Sequence, residues 1–200
     1  MDLLSNLGIL LGGSWAAGIN LYLTIVVLGM SDRLGWINLP GSLDVISHPL
    51  VILIAGLLLV IEFFADKIPY VDSAWDSIHT FIRPAGAAAL AYMAIPQSNE
   101  VFQMSAAMLS GGIALDSHLT KATTRVAINT SPEPFTNSLA SITEDSLVLV
   151  VIWLAVKHPV IATLAVISFL VFSIWFLKVM FVFLKKVFRS MPGNKEENRE

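Results

Sequence analysis

From Leu3 to Ser31 the chain carries no charged residue, and this run limits what the rest can become. About 20 apolar residues cross a bilayer, and a helix this bare has no polar face to turn towards water. The run lacks a basic leading segment and contains several Gly and Asn, so it does not read as a cleaved secretion signal. Five more apolar segments follow. One begins after His48-Pro49 and ends near Phe64, with Glu62 close to its end. A second, Pro84 to Ile95, is Ala-rich and too short to cross alone. A third runs from Val101 to Leu115 and continues as a polar helical pattern to Ile128. The last two are Leu147 to Val156, which extends backwards through Ile142, and Pro159 to Leu177.

Composition agrees. Only 14% of the 200 residues are charged and 56% are hydrophobic, with a mean hydropathy of +0.75. Soluble domains average about 25% charged and about 45–50% apolar. The expected fold is all-α, a polytopic membrane bundle of about six transmembrane helices. Residues 1–190 would form a single transmembrane domain and 191–200 a disordered cytoplasmic tail. The absence of cysteine removes disulfides, thiolate metal sites and thiol nucleophiles. Lys and Arg total 12, several of them in the tail, which leaves no basic surface for nucleic acid.

Lys178, Lys185, Lys186 and Arg189 place the C-terminal tail on the cytoplasmic side by the positive-inside rule. With six crossings the N-terminus is expected there too. Small residues recur at four-residue spacing in Gly8/Gly12, Ser14/Gly18 and Ala107/Gly111, a pattern that lets helix backbones approach closely. Packing within the chain is the first reading and a homo-oligomer through these Gly-rich faces is the alternative. Gly12-Gly13 and Gly111-Gly112 echo one another, as do His48-Pro49 and His158-Pro159. Their separations differ, so they do not define an inverted repeat.

The stretch from Asp66 to Asn129 is the informative one. Read as a helix, Asp72, Asp76, His79 and Arg83 form one stripe, beside an apolar stripe of Val71, Trp75, Ile78 and Ile82. Joined through Arg83-Pro84 to the Ala-rich piece, this helix is long enough to cross, with a kink or break expected at the proline. His118, Lys121, Arg125 and Asn129 form a matching stripe on the next helix. The short turn Pro96 to Glu100 makes the pair, the third and fourth spans, an antiparallel central polar hairpin. Equal distances from the turn set Asp76 level with Lys121, Asp72 with Arg125, and His79 with His118, with Asp116 one turn further in.

Charges at membrane depth face a bundle interior, a partner or a wet cavity. One reading is mutual neutralisation, Asp72 with Arg125 and Asp76 with Lys121, that fixes the hairpin. The other is a hydrophilic path ending at His79, His118 and Asp116, ligand types suited to Zn²⁺ or a related divalent cation, or to proton relay. Glu62, with Asp66 one turn on, adds an intramembrane carboxyl that would carry protons if unpaired. Glu133 lies in the proline-rich stretch Asn129 to Asn137. This stretch is either a plain cytoplasmic loop or part of a re-entrant segment spanning 130–145, which would line a cavity. Glu144 and Asp145 suit a helix N-terminus, where negative charge complements the dipole.

Several strings carry a resemblance: Gly18-Ile19-Asn20-Leu21-Tyr22-Leu23-Thr24, Glu62-Phe63-Phe64-Ala65-Asp66-Lys67-Ile68-Pro69, Val71 to Pro84, and Ser131-Pro132-Glu133-Pro134-Phe135. They resemble a bacterial multi-spanning membrane family catalogued as a domain of unknown function, over nearly the whole chain up to the basic tail. The resemblance implies a small inner (cytoplasmic) membrane protein that shares the polar hairpin. It implies no activity, ligand or catalytic residue.

Three functions are compatible with these residues. The first is a small transporter or channel, with Glu62, Asp66, Asp72, Asp76, His79, Arg83, Asp116, His118, Lys121, Arg125 and Glu133 along the path of a cation or proton-coupled solute. The second is an enzyme or binding protein for a lipid phosphate, with His79 as acid–base and Arg83 and Arg125 holding a phospholipid head group. The third is an assembly subunit whose charge ladder only specifies helix pairing.

Overall fold

The computed structural model describes residues 3–95, 100–129 and 134–190. Among these, all extended secondary structure is helical: α1 (Leu3–Ile19), α2 (Leu21–Arg33), α3 (Pro49–Ala65), α4 (Pro69–Ala94), α5 (Glu100–Asn129), α6 (Pro134–Lys157) and α7 (Pro159–Ser190), with a 3-10 turn at Leu43–Ser47. The five apolar segments after the first each become one helix, at the expected places. Pro49 and Pro159 open α3 and α7, a position where the missing N–H has no helical partner to lose. His48 caps α3, its Nδ1 accepting from the Leu50 amide at 3.3 Å.

The first run departs from expectation. It does not cross once but breaks at Asn20, whose φ of −149° and ψ of 98° are extended. The Asn20 side chain accepts from the Leu23 amide at 2.9 Å, which caps the new helix. α1 then runs parallel to α5, with Ser14 Oγ 2.6 Å from Ser110 Oγ and Ser117 Oγ donating to the Trp15 carbonyl at 3.0 Å. α2 instead runs back along α4: Leu21 lies against Gly86, and Leu28 packs with Leu43 and Ala94 at the far end of α4. Since α4 and α5 are antiparallel, α2 retraces α1. The two helices are the arms of a V with its apex, Ile19–Asn20, inside the bundle.

This reversal moves the N-terminus. Gly8 sits against Pro159, the first residue of α7, and α7 then runs alongside α1, with the Trp15 and Phe169 rings 5.4 Å apart. Leu3 and Ser190 therefore lie at opposite ends of the bundle. The described ends are set apart because the first run is a hairpin and not one long helix. The small-residue stripes serve packing within the chain: a Cβ on Gly8, Gly12 or Gly18 would collide with Pro159, Ala155, or Ala114 and Ser117.

Two further expectations are met in part. α4 forms as one joined helix through Pro84, without a break. The segment 134–145 is the regular first half of α6 and not a loop, and its Thr136, Leu139, Ala140 and Thr143 border a crevice; residues 130–133 lie outside the described residues, as does the tail 191–200. Asp32 orders the loop after α2 by accepting from the Leu39 amide and from Ser47 Oγ. Gly41, at φ 62°, lets that loop lie on the Met93 and Ala94 carbonyls at the end of α4, a conformation and approach that a side chain would resist.

The distribution of polarity is inverted relative to a soluble bundle. The largest fully buried side chains are Arg83, Arg125, His79, His118 and Glu62. Leu53, Leu57, Val60, Leu164, Val171 and Trp175 are exposed on α3 and α7. Among the described residues two helical segments are long and apolar enough to cross a membrane, Phe135–Lys157 and Pro159–Lys186, and α3 is a shorter apolar helix of 17 residues.

Candidate functional site

The buried charges converge where the V ends. α3 presents Glu62, with Asp66 one turn later beyond its end. α4 presents Asp72, Asp76, His79 and Arg83, and α5 presents His118, Lys121 and Arg125. α6 adds Glu144, and the apex of α1 and α2 adds backbone carbonyls, Asn20 and Tyr22. A helix that stops inside a protein leaves its last carbonyls without partners. Here side chains supply them. Arg83 Nη1 donates to the Gly18 carbonyl at 3.3 Å, Lys121 Nζ to the Ile19 carbonyl at 3.3 Å, and Ser117 to Trp15. The negative end of the α1 dipole thus meets two cations.

Those cations are shared among carboxylates. Arg83 Nη2 lies 2.7 Å from Glu62 Oε1 and 3.5 Å from Asp76 Oδ1. Lys121 Nζ is 3.4 Å from Asp66, 3.5 Å from Glu144 and 3.6 Å from Glu62. Arg125 forms a two-pronged pair with Glu144, Nε to Oε1 at 3.0 Å and Nη2 to Oε2 at 2.7 Å, the geometry that suits a guanidinium. It also reaches Asp66 at 3.2 Å and donates to the Asn137 carbonyl at 3.1 Å. Asn20 Nδ2 donates to Asp145 at 2.9 Å. Five carboxyl groups (Glu62, Asp66, Asp72, Asp76 and Glu144) therefore share three cations (Arg83, Lys121 and Arg125), with Asp145 held beside them by Asn20. Among the described residues, Glu62 Oε2, Asp66 Oδ1, Asp72 Oδ1 and both Asp76 oxygens receive no hydrogen bond. Buried charge without full compensation is expensive, so this arrangement favours the arrival of positive charge.

Both histidines are committed. His79 Nδ1 donates to the Trp75 carbonyl at 2.8 Å, and Nε2 accepts from the Tyr22 hydroxyl at 2.9 Å, while the ring stacks on Trp75 at 4.5 Å. Arg83 Nη1 lies 2.8 Å from His118 Nδ1. A guanidinium can only donate, so Nδ1 is the acceptor and the proton sits on Nε2, shared between the Asp76 carbonyl at 3.1 Å and Thr80 Oγ1 at 3.0 Å.

These contacts keep one expected pair and replace the other. Asp72 pairs with Arg125 at 3.9 Å and also accepts a hydrogen bond from Asn129 at 3.0 Å. Asp76 pairs with Arg83 on its own helix, and Lys121 turns to Glu62, Asp66 and Glu144. Asp116 faces away towards α7, where Ser173 Oγ donates to it at 2.9 Å. The His79–His118–Asp116 metal site is therefore overturned: no such trio converges, and no group of three or more His, Cys, Asp or Glu poised for a metal occurs among the described residues. Glu133 lies outside the described residues. Glu144 and Asp145 do not cap a helix; they sit midway along α6 and close the cluster.

Glu144, Asp145, Asn20 and Tyr22 join the site without being among the residues expected in it from the sequence. A signal for the first two existed. Asn137, Ser141, Glu144/Asp145, Val148, Ile152 and Ala155 recur at helical spacing, and of these Asn137, Ser141, Val148, Ile152 and Ala155 are buried. For Asn20 the signal was an amide in the middle of an apolar run.

Two cavities approach the cluster. An apolar crevice of about 370 Å³, bordered by Trp15, Leu139, Leu147 and Phe169, reaches Lys121 and Glu144. A smaller pocket of about 80 Å³ between α4 and α5 is lined by Ser73, Asp76, Ser77, Thr80 and Arg125. Residues 7–179 match the family described as Domain of unknown function (DUF4126). No curated protein matches the chain, and no solved structure does.

Proposed function

The chain belongs to that family, and we propose that it is an integral membrane transporter for a small cation or a proton-coupled solute. The carrying observation is the apex of a broken helix pair held by a buried ionic cluster with more acids than bases. Broken helices expose backbone dipoles at membrane depth, and such irregular backbone is tolerated only inside protein or beside a cavity. The apolar exterior and charged interior support a membrane setting, since a lipid-facing surface lacks the polar groups that water requires. α3 to α7 would then cross five times, and the α1–α2 pair would dip in and return. By the positive-inside rule Lys185, Lys186 and Arg189 favour a cytoplasmic end of α7, and in this reading the N-terminus faces the other side.

The lipid-phosphate alternative is weaker in this geometry. Arg83 and Arg125 are both closed on carboxylates, and a phosphate would have to displace them. The test is electrical recording from proteoliposomes on a solid support, with jumps of pH, of Na⁺, and of a panel of amines and carboxylic acids under a proton gradient. Wild-type vesicles should give a current that Glu62→Gln cuts at least about tenfold, a barrier change near 1.4 kcal/mol. Absence of current above empty vesicles under every jump would sink the transport reading.

A further inference from the structure

We propose that the apolar crevice between α1, α5, α6 and α7 binds a neutral long-chain alcohol that enters sideways from the bilayer. The inference rests on the membrane setting of the proposed function and not on the transported species. The crevice holds about 370 Å³, within the about 300–1,000 Å³ of small-molecule sites, which are mostly apolar with a few placed polar groups. Buried Trp15 and half-buried Phe169 give it an aromatic wall, meeting edge to face with ring centres 5.4 Å apart. Leu139 and Leu147 also border it and are exposed, so it opens on the same surroundings as the apolar exterior.

Charge selects the occupant. Lys121 and Glu144 border the crevice together, 3.5 Å apart, and Arg125 clamps Glu144. An ammonium head would meet Lys121 and Arg125 beside the carboxylate, and an anionic head would meet Glu144. Either finds a like charge at close range, where little water screens it. A neutral head escapes both.

Hydrogen bonding narrows the class further. Lys121 spends its three protons on the Ile19 carbonyl, Asp66 and Glu144. Thr120, Thr124 and Thr143 in the lining donate to the carbonyls of Asp116, Thr120 and Leu139. The indole N–H of Trp15 has no partner but is covered. What these groups leave open is oxygen lone pairs. Glu144 adds to them: its side chain is 14% exposed, whereas those of Glu62, Asp66, Asp72 and Asp76 are at 5% or less. Each of its oxygens has acceptor capacity beyond the bond to Arg125. A lining of acceptors calls for a donor, and a hydroxyl on a hydrocarbon chain supplies a neutral donor with an apolar body.

The test uses the full chain in phosphatidylcholine nanodiscs and dodecanol carrying a diazirine on its chain. Irradiation should saturably label the peptides that contain residues 139–147 or Phe169. Plain dodecanol should displace the label at least about tenfold better than dodecylamine, dodecanoate or dodecyl methyl ether. Ala140→Phe, which places a ring in the crevice, should remove the label. Thr143→Val keeps the shape without the hydroxyl; it should weaken displacement by dodecanol about threefold or more and leave that by the ether unchanged. Labelling that does not saturate or falls elsewhere in the chain overturns the proposal. So does displacement by the amine, the carboxylate or the ether that equals that by the alcohol, and so does wild-type labelling in Ala140→Phe. If Ala140→Phe does not fold, Thr143→Val decides, and an unmoved dodecanol midpoint overturns the assignment. Vesicles that carry no current while this labelling survives would end the transport reading and leave the alcohol site standing; currents without the labelling would do the reverse.

Discussion

Asn20 and Pro84 invite comparison because each does what the other's residue type suggests. Proline in a helix removes a hydrogen bond and crowds the preceding turn, yet α4 runs through Pro84 without interruption. Asparagine only weakly opposes a helix, yet the helix stops at Asn20 and reverses. The difference lies in the surroundings. Pro84 is packed against α5 where Gly111 faces it, and a Cβ there would still stand 3.3 Å from the Pro84 carbonyl. At Asn20 the freed carbonyls of α1 meet Ser117, Arg83 and Lys121, and the new helix receives its cap from the Asn20 side chain itself. A break is stable where donors wait for the backbone it releases.

The largest test of that comparison is Arg83→Leu. It takes a donor from Gly18 and leaves Glu62 buried without its closest cation, which should cost about 3–5 kcal/mol in denaturant or thermal unfolding. A loss below about 1 kcal/mol would mean that the apex is held by something else. Next is Gly18→Ala, whose new Cβ would press on Ala114 and Ser117 at a cost of about 1–3 kcal/mol. Gly13→Ala meets nothing within 4 Å and should gain up to about 1 kcal/mol of helix preference; equal behaviour of the two variants would contradict the close packing of α1 on α5. Pro84→Ala should leave stability unchanged or raise it, by at most about 3 kcal/mol, with no change in hydrogen exchange at the apex. Asn20→Ala should cost about 1 kcal/mol for the cap and loosen Ile19–Thr24 in exchange. The smallest effect belongs to Asp116→Asn, which keeps an acceptor for Ser173 and lies outside the cluster. Its currents should match wild type, and a tenfold fall would return Asp116 to the site.

Legibility in the sequence followed the range of the interaction. The stripe Asp72–Asp76–His79–Arg83 and its counterpart His118–Lys121–Arg125 were readable because helical spacing is local, and all seven residues are buried together. Their partners were readable only in part. A register counted from the hairpin turn found Asp72 with Arg125 but set Asp76 with Lys121, because it counted only two helices. α3 and α6 bring Glu62, Asp66 and Glu144 closer, and a long guanidinium or ammonium goes to the nearest available oxygen. The metal trio failed for a local reason: Asp116 is two residues before His118, which at about 100° per residue sets it on the opposite face of α5, towards Ser173 on α7.

The charge-free run from Leu3 to Ser31 by itself determined that this end of the protein would be helix buried in apolar surroundings or in protein. It also left the glycines that permit close approach. The chain's pattern likewise determined the five later helices and the gathering of charge on α4 and α5. Only the tertiary structure decided that the run would fold back at Asn20, because the stability of a broken helix depends on donors from Arg83, Ser117 and Lys121, more than sixty residues away in the chain. Hydrophobicity records how much of a segment avoids water; it carries no information about which distant side chains will meet its backbone.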